Sequence, residues 1–134
     1  MAFVKYNFLA PWRFFKTRLV QDRFWGSHPY RRYIRYKSNM AFASRAGQKL
    51  DHALNVFGVD VAGLTCADLG SNVGGVVDCL LQRGAAKVYA VEKGYGVLEY
   101  RLRKDARVVV MERTNAMHIT LPESVSLVTI DVAW

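Results

Sequence analysis

Leu64-Thr-Cys-Ala-Asp-Leu-Gly-Ser-Asn-Val-Gly-Gly75, followed by Lys87-Val-Tyr-Ala-Val-Glu92, decides the fold of this chain. Residues 64–69 form a short apolar run that closes at Asp68, and Gly70, Gly74 and Gly75 occupy the turn after it. Glycine there permits positive φ and lets a ligand approach the backbone closely. From Val76 to Arg83 the apolar residues Val76, Val77, Leu80 and Leu81 have helical spacing, and Gly84 sits where a C-terminal cap falls. Lys87 to Val91 reads as a second strand, and Glu92 lies where a cofactor cradle carries its ribose-binding acid, roughly 20 residues beyond the turn. Strand, glycine turn, helix, strand and acid together are the layout of a nucleotide-type cofactor cradle.

The turn is Gly-x-x-x-Gly-Gly and not Gly-x-Gly-x-x-Gly. Asn72 fills the slot whose glycine brings backbone N–H groups onto a pyrophosphate. With Asp68 and Glu92 nearby and no phosphate clamp, a cationic nucleoside such as S-adenosylmethionine suits the site better than a diphosphate. By itself the pattern leaves an NAD-type cofactor and a purely structural glycine turn open. Two further strands are expected, over 106–111 and 125–130. Polar residues then follow the strand ends repeatedly, as Asp68, Glu92, Asn115 and Asp131. In open α/β sheets the ligand crevice lies at those ends.

From Ser44 to Val132 the chain resembles the TlyA-type (hemolysin A) branch of the FtsJ-like ribosomal RNA 2′-O-methyltransferases. The resemblance rests on Ser44-Arg-Ala-Gly-Gln-Lys-Leu50, Asp68-Leu-Gly-Ser-Asn-Val-Gly-Gly75, Asp78-Cys-Leu-Leu-Gln-Arg-Gly-Ala85, Val88-Tyr-Ala-Val-Glu-Lys-Gly-Tyr-Gly96, Glu112-Arg-Thr-Asn-Ala116 and Val128-Thr-Ile-Asp-Val132. It implies an α/β, Rossmann-like methyltransferase fold with S-adenosylmethionine as cofactor and ribosomal RNA as substrate. It sets Asp68, Gly70, Ser71, Asn72, Gly74 and Gly75 against the methionine part of the cofactor. Glu92, where the branch more often has Asp, would meet the ribose, and Asn115 the adenine. Of the family's catalytic Lys-Asp-Lys-Glu set, Lys49 matches the first lysine and Asp131 the aspartate, which also borders the cofactor. A nearby ammonium stabilises the alkoxide developing on a ribose 2′-hydroxyl, and placement of the reacting atoms supplies much of the rate. Without the resemblance, Lys49 reads as a solvated lysine on a helix over 48–56.

The second lysine and the glutamate of the set have no counterpart up to Trp134, and four strands are expected where the family sheet has seven. The expectation is therefore the N-terminal part of a methyltransferase domain, a fragment inactive on its own. The apolar run 126–130 then becomes an open edge, and the expectation is that residues 46–134 are marginal alone or that a second copy or a partner chain covers this edge. The alternative function is a non-catalytic cofactor- or RNA-binding module that pairs through this edge.

Charge divides the chain. Residues 1–45 carry ten Lys/Arg against one acid, Asp22, while residues 46–134 are net −1, so the whole excess of the +8 chain lies at the front. Twelve of the 17 aromatic residues lie there too. This sets a boundary between an extension, 1–43, and a partial methyltransferase domain, 44–134. No S4-like RNA-binding pattern is visible in the extension. It reads as an RNA-gripping arm, through Arg31-Arg-Tyr-Ile-Arg-Tyr-Lys37, as an organellar targeting segment, or as a non-native addition. Localisation is accordingly cytoplasmic, or organellar if the extension is a targeting signal. No stretch reaches the about 18 apolar residues of a membrane span. Cys66 and Cys79 lack zinc spacing and read as a reduced intracellular pair, and the scattered histidines indicate no metal site.

Overall fold

The computed structural model describes residues 41–132. The extension up to Met40, and every reading of it, lies outside these residues. Helix α1, Arg45–Phe57, starts at Ser44, whose extended backbone (φ −154°) and hydroxyl, accepting from the Ala46 N–H at 3.3 Å, form its N-cap. It stops at Gly58 in the left-handed region, φ 63°. Strand β1 is Thr65–Leu69, helix α2 Gly75–Gln82 and strand β2 Lys87–Val91. A short helix α3, Tyr100–Arg103, precedes β3, Val108–Met111. A 3-10 turn at Ala116–His118 and strand β4, Leu127–Ile130, complete the order.

The sheet order is β3-β2-β1-β4, and every pairing is parallel. From β1 the chain runs outward through β2 and β3, then returns to lay β4 on the other flank of β1. The order reverses at β1 and β4, so the carboxyl ends of these two strands flank the crevice where such folds take ligands. Cys66, Ala67, Val88 and Val91 are fully buried, as the central strands of a parallel sheet must be. Six of the eight residues of α2 are buried, because α2 is packed against both the sheet and α1. Among the described residues, no helix is long and apolar enough to cross a membrane. Cys66 and Cys79 are free thiols, and burial raises the Cys79 pKa to about 11.

The expected α/β sheet of about four parallel strands is the one observed. Gly84 (φ 88°) follows the last turn of α2 as expected, with its N–H on Leu81 O and that of Ala85 on Leu80 O. Strands β3 and β4 each start two residues later than the expected 106 and 125. For β3, Asp105 folds back on Arg107, accepting its N–H at 2.9 Å, and this turn delays the ladder. Strand β4 forms the expected sheet edge: among the described residues it pairs only with β1, leaving Val128 45% and Ile130 67% exposed.

Candidate cofactor site

Parallel strands bring their carboxyl ends to one side, so the polar residues expected there converge. In the ladder Asp68 is level with Thr129 on β4 and Ala90 on β2. Glu92 and Asp131 directly follow β2 and β4, and Asn115 is the fourth residue after β3. Asp68 is 1% exposed. Its Oδ1 accepts from the Thr129 hydroxyl at 2.8 Å, while its Oδ2 has no partner. The buried Ser71 Oγ also lacks one. Burial raises the Asp68 pKa to about 6; the Thr129 hydrogen bond opposes this, and the Asp131 and Glu92 carboxylates add to it. A buried acid with an unmet oxygen between two other acids favours a cation or a hydrogen-bond donor beside it.

The glycine turn is held from three sides. Gly70 and Ser71 both donate their N–H to Val91 O, at 2.9 and 3.0 Å. A Cβ at Gly70 (φ 92°) would collide with the carbonyl oxygen of Asp131, so β4 closes directly onto the turn. A Cβ at Gly74 (φ 96°) would collide with Leu102 and overlap Leu98. Asn72 lies in the left-handed region, φ 47°, a conformation asparagine tolerates, and donates its N–H to Glu92 Oε2 at 2.8 Å. Glu92 Oε1 accepts from Gly94 N–H at 2.8 Å. Glu92 thus ties the turn to the loop after β2, and each oxygen keeps a lone pair for a ligand hydroxyl.

The remaining expected site residues are less tightly engaged. Gly75 opens α2 against the first turn of α1, where a Cβ at Gly47 would lie 2.5 Å from Gly75 O. Lys49, two residues further on, is exposed and has no ion-pair partner among the described residues. Asp131 is exposed and donates its N–H to Leu69 O at 3.0 Å. Asn115 Oδ1 caps the 3-10 turn by accepting from Met117 N–H at 3.0 Å, which leaves its amide N–H groups free for a ligand. The structure therefore gathers Asp68, Gly70 to Asn72, Glu92 and Asp131, whereas no ion pair joins Lys49 to Asp131. A recess of about 700 Å³ lined by Leu69, Leu121, Val125 and Val128 contains none of these acids. Its one carboxylate, Glu123, is already engaged by Lys87 Nζ at 2.6 Å and the Tyr89 hydroxyl at 2.7 Å, so the acids at the strand ends mark the candidate site better than the recess does.

Thr129 was not among the expected site residues. It sits two residues before Asp131, but its place beside Asp68 depends on β4 pairing with β1, which no local pattern announces. Asp78, within the stretch Asp78-Cys-Leu-Leu-Gln-Arg-Gly-Ala85, carries no expected site role either. It is buried and bonded to Arg101, Gln82 and the Ala43 N–H.

Fold and crevice define a Rossmann-like α/β protein with acids gathered at the carboxyl ends of its strands. Residues 42–134 match the FtsJ-like methyltransferase family, and the chain belongs to it. It is 48% identical over 101 residues to the 16S/23S rRNA (cytidine-2'-O)-methyltransferase TlyA of Mycobacterium tuberculosis, covering 72% of this chain and 37% of that protein. To Hemolysin A of Brachyspira hyodysenteriae it is 46% identical over 86 residues, 64% of this chain and 36% of the relative. The chain thus spans little more than a third of the length of these relatives. A solved structure from Lactococcus lactis, named as a hemolysin, superposes with a TM-score of 0.67 at 39% identity, covering 71% of this chain and 48% of that one.

Proposed function

We propose that residues 44–134 form the cofactor-binding part of an S-adenosylmethionine-dependent enzyme that methylates ribose 2′-hydroxyls in ribosomal RNA. The observation that carries this reading is Asp68, a buried acid with an unpartnered oxygen beside the glycine turn and the equally unpartnered Ser71. Those groups suit a ligand with both a positive charge and hydrogen-bonding ends. Names of relatives support the RNA substrate, and an enzyme family weighs against the non-catalytic module.

In this reading Asp68, Gly70, Ser71, Asn72, Gly74 and Gly75 hold the amino-acid end of the cofactor. Glu92 accepts from the ribose hydroxyls, and Asn115 meets the adenine. When bound, S-adenosylmethionine supplies an electrophilic methyl group on a sulfonium. Asp131, at the end of β4, orients that cation, and Lys49 stabilises negative charge as the 2′-oxygen reacts. A ribosomal substrate puts the protein in the cytoplasm, or in an organelle if residues 1–43 act as a targeting segment.

Calorimetric titration of the chain with S-adenosylmethionine tests the cofactor reading, and absence of binding by a folded sample overturns it. The site of methylation is read chemically. A 2′-O-methyl group blocks alkaline cleavage of the adjacent RNA linkage, so label transferred by the enzyme of which these residues form the cofactor-binding part is expected in alkali-resistant dinucleotides. Label recovered on a base would contradict the ribose assignment.

A further inference from the structure

Asp78 is an acid that the proposed chemistry does not use, yet its side chain is buried almost completely. It stands in the first turn of α2, where the positive end of the helix dipole favours an anion. Its Oδ2 accepts from the Ala43 N–H at 2.7 Å and from Arg101 Nη2; its Oδ1 accepts from Arg101 Nη1 at 3.0 Å and Gln82 Nε2 at 3.1 Å. Burial pushes its carboxyl up, but the donors from Arg101, Gln82 and Ala43 outweigh burial and hold it below the usual carboxylate range. It is therefore an anion at neutral pH, with both oxygens engaged.

Its partners sit on either side of the glycine turn. Ala43 directly precedes Ser44, the N-cap of α1, and Gln82 also donates to Ala41 O at 2.9 Å. The first turn of α1 touches Gly75 so closely that a Cβ at Gly75 would collide with Ser44 Oγ. Arg101 lies on α3, whose Leu102, together with Leu98 just before the helix, closes over Gly74. We propose that Asp78, paired with Arg101, is a positioning residue for cofactor binding: it clamps the start of α1 and α3 onto the glycine turn. This rests on the cofactor reading above. Removing the clamp frees both flanks of the turn, and small misplacements of a binding group cost a great deal of affinity or rate.

Asp78→Asn preserves size and removes the charge. In calorimetry on the 134-residue chain, it is expected to bind S-adenosylmethionine about ten-fold more weakly. Arg101→Met, at a half-exposed side chain that tolerates replacement, is expected to weaken binding similarly, and Arg101→Lys to restore part of it. It also serves as the test if Asp78→Asn does not fold. Arg83→Met breaks the other α1–α2 clamp, in which Arg83 bonds Asp51 and Asn55 at the far end of α2. That variant is expected to melt earlier while binding normally. Should Asp78→Asn and Arg101→Met melt earlier yet bind like the wild type, the pair is only a structural clamp and the proposal is overturned. A wild-type chain that does not bind overturns the cofactor reading itself, and this role with it.

Discussion

Asp68 is the buried acid of the site. Its folded pKa, about 6, lies above the ordinary 3.8, so the folded chain binds the proton more tightly than the unfolded one. Stability contributed by this group is therefore full below about pH 4 and falls as pH rises to about 6. The loss amounts to roughly 3 kcal/mol across that window. Denaturant melts of wild type and Asp68→Asn from pH 4 to 8 should diverge with that sign, the variant gaining relative stability as pH rises. Parallel curves would mean that the carboxyl is not desolvated. Gly70 makes a second prediction at this scale. Its φ of 92° and the Asp131 carbonyl against its α-carbon leave no room for a side chain. Gly70→Ala should cost about 2 kcal/mol or more in melts, from strain and overpacking together.

Strands β3 and β4 are the two edges of the sheet, and β4 is the one with strongly exposed apolar side chains. Its edge position leaves Ile130 and Val128 facing outward with an unpaired backbone beside them. The 134-residue chain should self-associate with rising concentration in size-exclusion chromatography with light scattering, and Ile130→Lys should reduce this. A wild-type chain that stays monomeric at all concentrations would contradict the expectation. Elements with a strong local signal were legible from sequence. The apolar run, glycine turn and helical spacing set β1, α2 and β2 to within a residue. The start of β3 was not, because the Asp105–Arg107 turn competes with the ladder. Helix α3 was invisible because four residues carry no period; Leu98 and Leu102 wedged against Gly74 hold it in place. In the site, the acids were legible because parallel strands put their ends together. Thr129 and Asp78 were not, since their roles come from strand order and helix packing. Lys49 drew its role from the family resemblance alone.

For the whole chain, the basic excess and the cluster of acids at the strand ends occupy different segments. Residues 1–45 hold ten of the 19 Lys/Arg and one acid, while the crevice is lined by Asp68, Glu92 and Asp131. If the basic segment grips RNA, affinity for ribosomal RNA falls steeply with salt, and deleting residues 1–40 lowers both the affinity and the salt slope. Unchanged binding after that deletion would remove the arm from the account. Under the proposed function the acidic crevice makes the opposite demand, for a small cationic ligand. Calorimetry with S-adenosylmethionine near pH 7.5, on wild type and Asp68→Asn side by side, tests this most directly. The account predicts one site in the wild type and binding weakened at least about ten-fold in the variant, since a charge-assisted contact is lost. No binding by the folded wild type, or equal binding by both, would contradict it.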